Sequence, residues 1–579
     1  MKDLETILVP LNVQLSELLT RMERAPGLGL PGGILLVVNE SGVLKGTITD
    51  GDIRRAFIKN SSFDQTAGDI LKPDPITFPD HYAIQQILES IPGELEKRNR
   101  KSKRFLNKII LTNASGQPTR VLDYHQLWEQ RVAIHRHLCV IGLGYVGLTL
   151  ALVLADEGYL VTGVDTDSSR LTSLKKGESY IHEVGLPELL REQINKNFTV
   201  SADIPTHADV FIISVGTPVQ STASGKVVST EYLEQAVNGV ASALQPGNLV
   251  ILRSTVPVST CRKFVMKQLE EKTGLKCGLD FHLSFAPERT AEGKALQELR
   301  SLPQIIGGFN NDSLEATAAI FREITSTIVK VDSLEAAEMA KLINNSFRDY
   351  IFGYANHVAR IAAAYNVNIT DVIRAANEGY PRDPVPLPSP GVGGPCLTKD
   401  PYIFAHVSNT AGLSGDIFTT ARNINVSMHR HVAEGLINQL KKIGKNAAGS
   451  NVLICGLSFK GNPETGDLRD SSSIEIARLI KNITPHVYGF DAVADQEEIK
   501  LAGLTPVSIP DGFKGMDAVL FLNNHKSFQR IDIFEMVRSM NSIPIVYDGW
   551  NLFRAEDVLH VKPAIYMGLS FTKSSIQPA

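Results

Sequence analysis

The chain has little cysteine: five residues, Cys139, Cys261, Cys277, Cys396 and Cys455, in 579. Their number is odd, they are scattered, and no CxxC pair occurs. That excludes a disulfide framework and a zinc site, and no metal is expected. There is no run of 18 or more apolar residues, so no membrane-spanning helix is expected. Met1-Lys2-Asp3-Leu4-Glu5 lacks the basic and apolar regions of a secretory signal. With the cysteine usage, this leads us to expect a reducing cytoplasm. Neither charge sign is in excess: 58 Lys and Arg stand against 62 Asp and Glu, a net −4. Such a balance supplies no bulk attraction for nucleic acid or an anionic membrane. The length allows three or four domains.

The stretch Pro390-Gly391-Val392-Gly393-Gly394-Pro395-Cys396-Leu397-Thr398-Lys399-Asp400 is the one thiol setting with chemistry around it. Glycines permit close backbone approach, and a lysine and an aspartate follow the thiol at once. Cys139 and Cys455 lie inside apolar strand-like runs and read as core.

His137-Leu138-Cys139-Val140-Ile141 is a short apolar strand, followed directly by Gly142-Leu143-Gly144-Tyr145-Val146-Gly147 and a helical pattern from Leu148 to Leu154. A second strand, Leu160–Val164, ends at Asp165. This is a dinucleotide-binding fingerprint in full context. Gly142 makes the tight turn, Gly144 admits the pyrophosphate, and Gly147 packs helix on sheet. The helix N-terminus supplies N–H groups for the phosphates. An acid at 165 suits a ribose 2′-hydroxyl and repels a 2′-phosphate, so the expected cofactor is NAD. Further strands at 209–215, 249–253 and 281–285 end in the polar turns Gly216-Thr217-Pro218, Ser254-Thr255-Val256-Pro257 and Ala286-Pro287-Glu288-Arg289. In a doubly wound sheet these line one crevice. Ser333-Leu334-Glu335 then begins a long helical pattern reaching Ala364, with Lys341 and Asn345 on one face. A second strand-then-glycine unit, Asn451–Gly456, opens another Rossmann-like pattern.

Ser214-Val215-Gly216-Thr217-Pro218, Ser254-Thr255-Val256-Pro257, Pro287-Glu288-Arg289-Thr290-Ala291-Glu292-Gly293 and the thiol loop together resemble the nucleotide-sugar (UDP-glucose/GDP-mannose) dehydrogenase family, from about 137 to 565. The resemblance implies oxidation of a sugar C6 hydroxyl to a carboxylate by two NAD⁺, for polysaccharide biosynthesis. Cys396 is then the nucleophile, Lys341 the oxyanion stabiliser beside Asn345, and Asp400, Glu292 and Thr255 surround the hydrolytic water. Gly142, Gly144, Tyr145, Val146, Gly147, Asp165, Thr217 and Thr255 would contact the cofactor. Glu288, Lys341, Asn345, Gly393, Lys460 and Arg469 would contact the UDP-sugar. Trp550 stands where family members often carry arginine. Features around Pro390–Gly394 and Asp467–Ser471 lean toward a UDP-N-acetylhexosamine (mannosamine or glucosamine). The Cys396–Asp400 spacing leans toward UDP-glucose, and GDP-mannose remains an alternative. A two-electron hydroxy-acid dehydrogenase would share the Rossmann half but need no thiol.

Residues 33–49 read as two strands around the turn Asn39–Gly42, followed by Thr49-Asp50-Gly51-Asp52 at a helix start. A weaker copy follows, with a helix near 82–91, a strand near 108–112 and a turn at Asn113–Gln117. This resembles a CBS-domain pair, in which Thr49 and Asp52 would hold an adenine nucleotide. A catalytically silent, nucleotide-sensing regulator is the reading from another class. The basic run Lys97–Arg104 is a solvated loop or a phosphate contact. The expected architecture is α/β: a CBS-like α+β module at 1–130, an NAD-binding Rossmann domain at 135–330, a central helical domain with the thiol loop at 331–445, and a UDP-sugar-binding Rossmann-like domain at 446–579. The long helix is expected to join two copies in a homodimer or higher oligomer.

Overall fold

The structure is a computed structural model that describes residues 4–27, 32–59, 64–82, 86–87, 90–91, 94, 97, 108–123, 137–222 and 225–576. Of the basic run, Lys97 alone falls within these and pairs with Glu94 (2.8 Å); the rest of that run, and half of the helix expected near 82–91, lie outside the described residues.

The N-terminal module holds a repeat. β1 (Leu8–Pro10) runs parallel to β2 (Ile34–Val38), which pairs antiparallel with β3 (Leu44–Thr49), and β4 (Lys72–Pro73) closes the sheet. In the second half β5 (Thr77–Pro79) runs parallel to β6 (Lys108–Thr112), which pairs antiparallel with β7 (Pro118–Asp123). Both hairpins carry a register irregularity at the same place, where Val38 faces Leu44 and Thr112 faces Pro118. Both turns are built on an asparagine whose Oδ1 accepts a backbone N–H: Asn39 from Val43 (2.8 Å) and Asn113 from Gln117 (3.0 Å). The two turns meet, Leu44 N–H donating to Gly116 O (3.1 Å) and Gln117 Nε2 to Ser41 O (2.8 Å). Helices α1 (Leu15–Gly27) and α2 (Asp50–Lys59) flank the first sheet.

The first large sheet has β8 (His137–Ile141) at its centre. It is followed through α3 (Tyr145–Asp156) by β9 (Leu160–Val164), and then by β10 (Phe198–Ser201), β11 (Val210–Ile213), β14 (Leu249–Leu252) and β15 (His282–Phe285). A small antiparallel hairpin, β12 (Val219–Thr222) with β13 (Gly225–Val228), stands apart between β11 and β14. The order β10-β9-β8-β11-β14-β15 is the 3-2-1-4-5-6 winding of a dinucleotide-binding sheet, all parallel, with its switch point between β8 and β11. β16 (Gln304–Gly308) adds antiparallel and β17 (Ile328–Val331) parallel to β16. Strands buried on both faces explain the near-continuous apolar runs. The C-terminal sheet repeats the winding with β18 (Val452–Cys455), β19 (Val487–Phe490), β20 (Thr505–Pro506), β21 (Ala518–Phe521), β22 (Ile545–Asp548) and β23 (Ile565–Met567), ending in the antiparallel β24 (Thr572–Ser574).

Between the sheets runs α4 (Leu334–Ala364), 31 residues long, or about 46 Å at the helical rise. Ser333 caps it, its Oγ accepting from Ala336 N (3.1 Å). α6 (Asp416–Lys442) packs along it. The two axes draw together at Gly353, where a Cβ would lie 3.0 Å from Ala421 O. The thiol loop leads into α5 (Asp400–Thr410), and α7 (Ser472–Lys481) opens on the loop after β18.

Candidate active site

The turn after β8 closes only with glycine. Gly142 has φ +89°, and a Cβ there would meet Ser214 O at 2.8 Å; one on Gly147 would meet Gly142 O at 1.8 Å. Gly144 has nothing within 4 Å of a Cβ position, so the turn is open at its middle glycine. Asp165 lies at the mouth of this turn and orders it, accepting from Leu143 N (2.8 Å) and Asp167 N (2.9 Å). Arg170 stands 3.5 Å from the same carboxylate. Two glycines forced by geometry, one open glycine, a helix N-terminus and a ribose-side acid are the set a dinucleotide needs. Tyr145, first residue of α3, has its hydroxyl engaged by protein partners. Its hydroxyl donates to Glu183, and Gly293 N–H donates both to Tyr145 Oη (2.7 Å) and to Glu183 Oε2 (2.7 Å). Burial raises the Glu183 carboxyl pKa against these amides. Thr217 donates its hydroxyl to Thr255 O (2.6 Å), tying together the turns after β11 and β14.

Cys396 is exposed in the cleft between the sheets, while the other four cysteines are buried. The surrounding cleft walls raise its thiol pKa; Lys341 and Lys399 pull it down, and Asp400 and Glu292 push it up. Because the thiol reaches solvent, water offsets part of the wall effect, and the nearby ammonium groups favour the thiolate. Lys341 is buried and donates to Glu288 O. One turn on, Asn345 Nδ2 donates to Asp400 Oδ2 (2.5 Å), and Lys399 Nζ stands 2.8 Å from Asp400 Oδ1. α4 and the thiol loop are thus joined through the carboxylate that follows the cysteine.

Glu292 comes from the first sheet's side and meets the C-terminal domain. Thr465 Oγ1 donates to it weakly (3.4 Å), Arg469 Nη2 stands 3.9 Å away, and Lys460 Nζ donates to its carbonyl (2.8 Å). Burial first, then the Asp467 charge, raise its carboxyl pKa to about 7. Burial lowers that of Lys460. Arg469 is held by Asp467, and that hydrogen bond raises the pKa of the Arg469 guanidinium. Glu288 is committed elsewhere: its carboxylate pairs with buried Arg253 and accepts from Arg289 N and Thr290 N (2.7 Å each).

Lys341, Asn345, Cys396, Asp400, Glu292, Lys460 and Arg469 therefore come together, Thr217 and Thr255 join each other at two adjacent strand ends, and Gly293 ties this group to Tyr145 at the end of the glycine turn. The reason for the thiol-loop glycines differs from the sequence expectation. At Gly393 a Cβ would lie 2.5 Å from Asp470 O, and at Gly394 (φ +92°) 2.6 Å from the Phe459 ring. Their missing side chains make room for the C-terminal domain rather than for an open cleft. Trp550 donates its indole N–H to Leu522 O (2.9 Å), beside Gly549, which packs on Pro390. Sequence reasoning passed over Glu183 and Arg253; an acid shortly before Pro187 at a helix start, and an arginine closing an apolar strand, were the available signals. Thr49 and Asp52 form a local cap far from these residues in sequence. Asp52 Oδ2 accepts from Thr49 N (2.9 Å) and Oγ1 (2.6 Å), and Arg55 and Lys72 flank Oδ1 at 2.7 and 3.0 Å.

Comparison with known proteins identifies the family. Residues 136–325 match the NAD binding domain of the UDP-glucose/GDP-mannose dehydrogenase family, 335–427 its central domain and 453–555 its UDP binding domain. A UDP-N-acetyl-D-mannosamine dehydrogenase from Methanococcus maripaludis is 33% identical over 422 residues, covering 72% of this chain and 93% of the relative. The solved UDP-N-acetyl-mannosamine dehydrogenase of Pyrococcus horikoshii aligns with a TM-score of 0.67 at 30% identity, over 75% of this chain and 99% of that one. That of Staphylococcus aureus aligns at 0.64 and 30%, over 75% and 98%. With all three domains in order around a shared cleft, the chain belongs to the UDP-glucose/GDP-mannose dehydrogenase family and is an NAD-dependent nucleotide-sugar dehydrogenase.

Proposed function

We propose that the substrate is a UDP-N-acetylhexosamine, UDP-N-acetyl-D-mannosamine first among them, and that its C6 hydroxyl is carried through two oxidations to the carboxylate on Cys396. The observation that carries this is the setting of the Cys396 thiol: exposed, and within the electrostatic reach of the Lys341 and Lys399 ammonium groups and of the Asp400 and Glu292 carboxylates. The substrate class follows the names of the relatives at 29–33% identity, most of them UDP-N-acetyl-D-mannosamine dehydrogenases.

NAD⁺ supplies the hydride acceptor for each oxidation, held by the Gly142–Gly147 turn and Asp165. The chain's own residues do the rest. After the first oxidation Sγ adds to the aldehyde carbon, and the carbonyl π pair becomes an alkoxide that the fixed Lys341 cation stabilises. Loss of hydride from that carbon leaves a thioester on Cys396. Water then replaces sulfur and the thiol is restored. In sum one alcohol, two NAD⁺ and one water give a carboxylate, two NADH and three protons. Glu292 is suited to take the water's proton, since a carboxyl with pKa about 7 is poised as a base near neutrality. Asn345 and Asp400 hold the substrate side of the cleft together, and Lys460 and Arg469 serve the UDP end.

We assign residues 1–130 to a CBS-like regulatory module. The repeated bulged hairpins support that reading, and an adenine nucleotide at Thr49 and Asp52 is the ligand the resemblance offers. The test of function is NADH produced per limiting sugar nucleotide, with UDP-N-acetylmannosamine, UDP-N-acetylglucosamine and UDP-glucose assayed separately. Two NADH from UDP-N-acetylmannosamine are expected. In Cys396→Ala turnover to acid is lost, and at most one NADH forms. A single NADH from the parent enzyme overturns the thioester route; two from UDP-glucose alone overturn the substrate.

A further inference from the structure

Behind the thiol loop lies a polar spine that none of the steps above uses. Arg422 on α6 is 1% exposed and Asp349 on α4 is 0% exposed, yet both are ionisable. Their side chains meet at 2.8 Å. The guanidinium has two further tasks. Nη2 donates to Val392 O (2.6 Å) and Nη1 to Leu397 O (3.0 Å). These carbonyls bracket Gly393-Gly394-Pro395-Cys396. The spine continues away from the thiol: Asn425 Nδ2 donates to Asp349 Oδ1 (2.8 Å), Asn356 Nδ2 to Asn425 Oδ1 (2.9 Å), and Ser389 N–H to Asn356 Oδ1 (2.8 Å). Ser389 Oγ in turn donates to Gly391 O (2.9 Å). The loop is thus gripped at 389, 392 and 397 by groups rooted in the two long helices, and Ser389 in turn ties down 391.

Burying this much polarity is costly. Burial raises the Asp349 carboxyl pKa and lowers that of Arg422, each opposed by the other's charge. A hydrophobic helix–helix contact of the same volume is often as stable or more so. What an apolar core cannot do is donate to two loop carbonyls in a fixed fork, the geometry peculiar to a guanidinium. The same α4 that anchors Asp349 carries Lys341 about two turns and Asn345 about one turn earlier. One rigid element therefore references both the oxyanion cation and the loop that carries the sulfur.

We propose that Arg422, anchored by Asp349, is a positioning residue that sets where Cys396 Sγ stands relative to Lys341, and so acts on the thiol-dependent second oxidation rather than on the first. This rests on the reading of Cys396 as nucleophile. Addition of sulfur to the aldehyde needs a near-attack placement of Sγ, whereas the first hydride transfer does not involve sulfur at all.

The experiment is single-turnover NADH formation, with enzyme in excess over UDP-N-acetylmannosamine, in the parent, Arg422→Lys and Asp349→Asn. Lysine keeps the charge but cannot span both carbonyls; asparagine leaves the guanidinium in place but frees its anchor, and serves if Arg422→Lys does not fold. In Arg422→Lys the second NADH phase is expected to slow by about 30- to 100-fold, the size of a sub-ångström to ångström misplacement, with the first phase within about threefold and KM for the sugar nucleotide unchanged. Asp349→Asn should shift the same phase in the same direction, less strongly. A purely structural role would lower the melting temperature and the active fraction while slowing both phases in proportion, and that result overturns the proposal. A parent enzyme that releases one NADH overturns the thioester reading and this proposal together; a two-NADH parent with proportionate variants overturns this proposal alone.

Discussion

At the residue scale the cleft is a balance of charges around one thiol, and Glu292 is its most perturbed acid with solvent access. Its carboxyl is raised to about 7 by burial and by Asp467, against Arg469, Lys460 and Thr465. A base is active when deprotonated, so kcat should climb with pH up to about 7 and level off above it. Glu292→Gln should lower the plateau and flatten that limb. A pH profile of kcat measures it, and an unchanged limb in the glutamine variant would move the role to another group. The linkage to stability has the opposite sense. A carboxyl whose pKa is raised on folding favours the native state below its ordinary value near 4.5. That contribution is lost as pH rises toward 7 and stays lost above it. Glu338, buried on α4 and accepting from Ser259 N (2.6 Å) and Cys261 N (2.7 Å), is also raised to about 7 and adds to the same trend.

At the element scale the β8–turn–α3 unit shows how far spacing reads through to structure. The fingerprint named Gly142 and Gly147, and both are required by contacts within the turn itself. In Gly147→Ala the new methyl would stand 1.8 Å from Gly142 O, against backbone rather than a side chain that can swing aside. The turn must open. NAD affinity is expected to fall at least tenfold by titration, with a loss of stability of about 1–3 kcal/mol typical of forced overpacking. The long helix was equally legible: Ser333 as cap and an unbroken pattern to Ala364. The hairpin β12–β13 was not, because its short polar strands pair only with each other. Nor was the partner role of α6. An arginine inside a helical pattern reads as a solvated charge, and only the packing of Gly353 on Ala421 shows that Arg422 faces inward.

At the scale of the whole molecule, α4 presents an apolar stripe to solvent. Ile343 (47%), Phe347 (62%), Tyr350 (42%) and Tyr354 (55%) recur at helical spacing. The proposed homodimer would cover it. The parent should elute and scatter as twice the chain mass, and Phe347→Asp with Tyr354→Asp should give the single-chain mass; a monomeric parent would end that proposal. The N-terminal module has its own cores and its own closed pair of turns, and the family match begins only at residue 136. Removing residues 1–130 should therefore leave a folded dehydrogenase that still forms two NADH per sugar nucleotide. If the regulatory assignment holds, any response of the full chain to adenine nucleotides disappears with the module.

The sequence by itself determined the two strand–glycine–helix units, the glycine turn, the cap of the long helix and which cysteine stands outside the core, because each depends on neighbours within a few residues or on a fixed period. It also carried the family resemblance, since motifs at the ends of strands keep their order along the chain. Tertiary structure alone decided what the thiol-loop glycines touch, which acid is pushed toward neutrality, and that Glu288 is spent on Arg253 while Arg422 grips the cysteine loop. Those outcomes depend on desolvation and on contacts between residues far apart in the chain. Neither is encoded in local spacing, and both follow from which surfaces two sheets and two long helices press together.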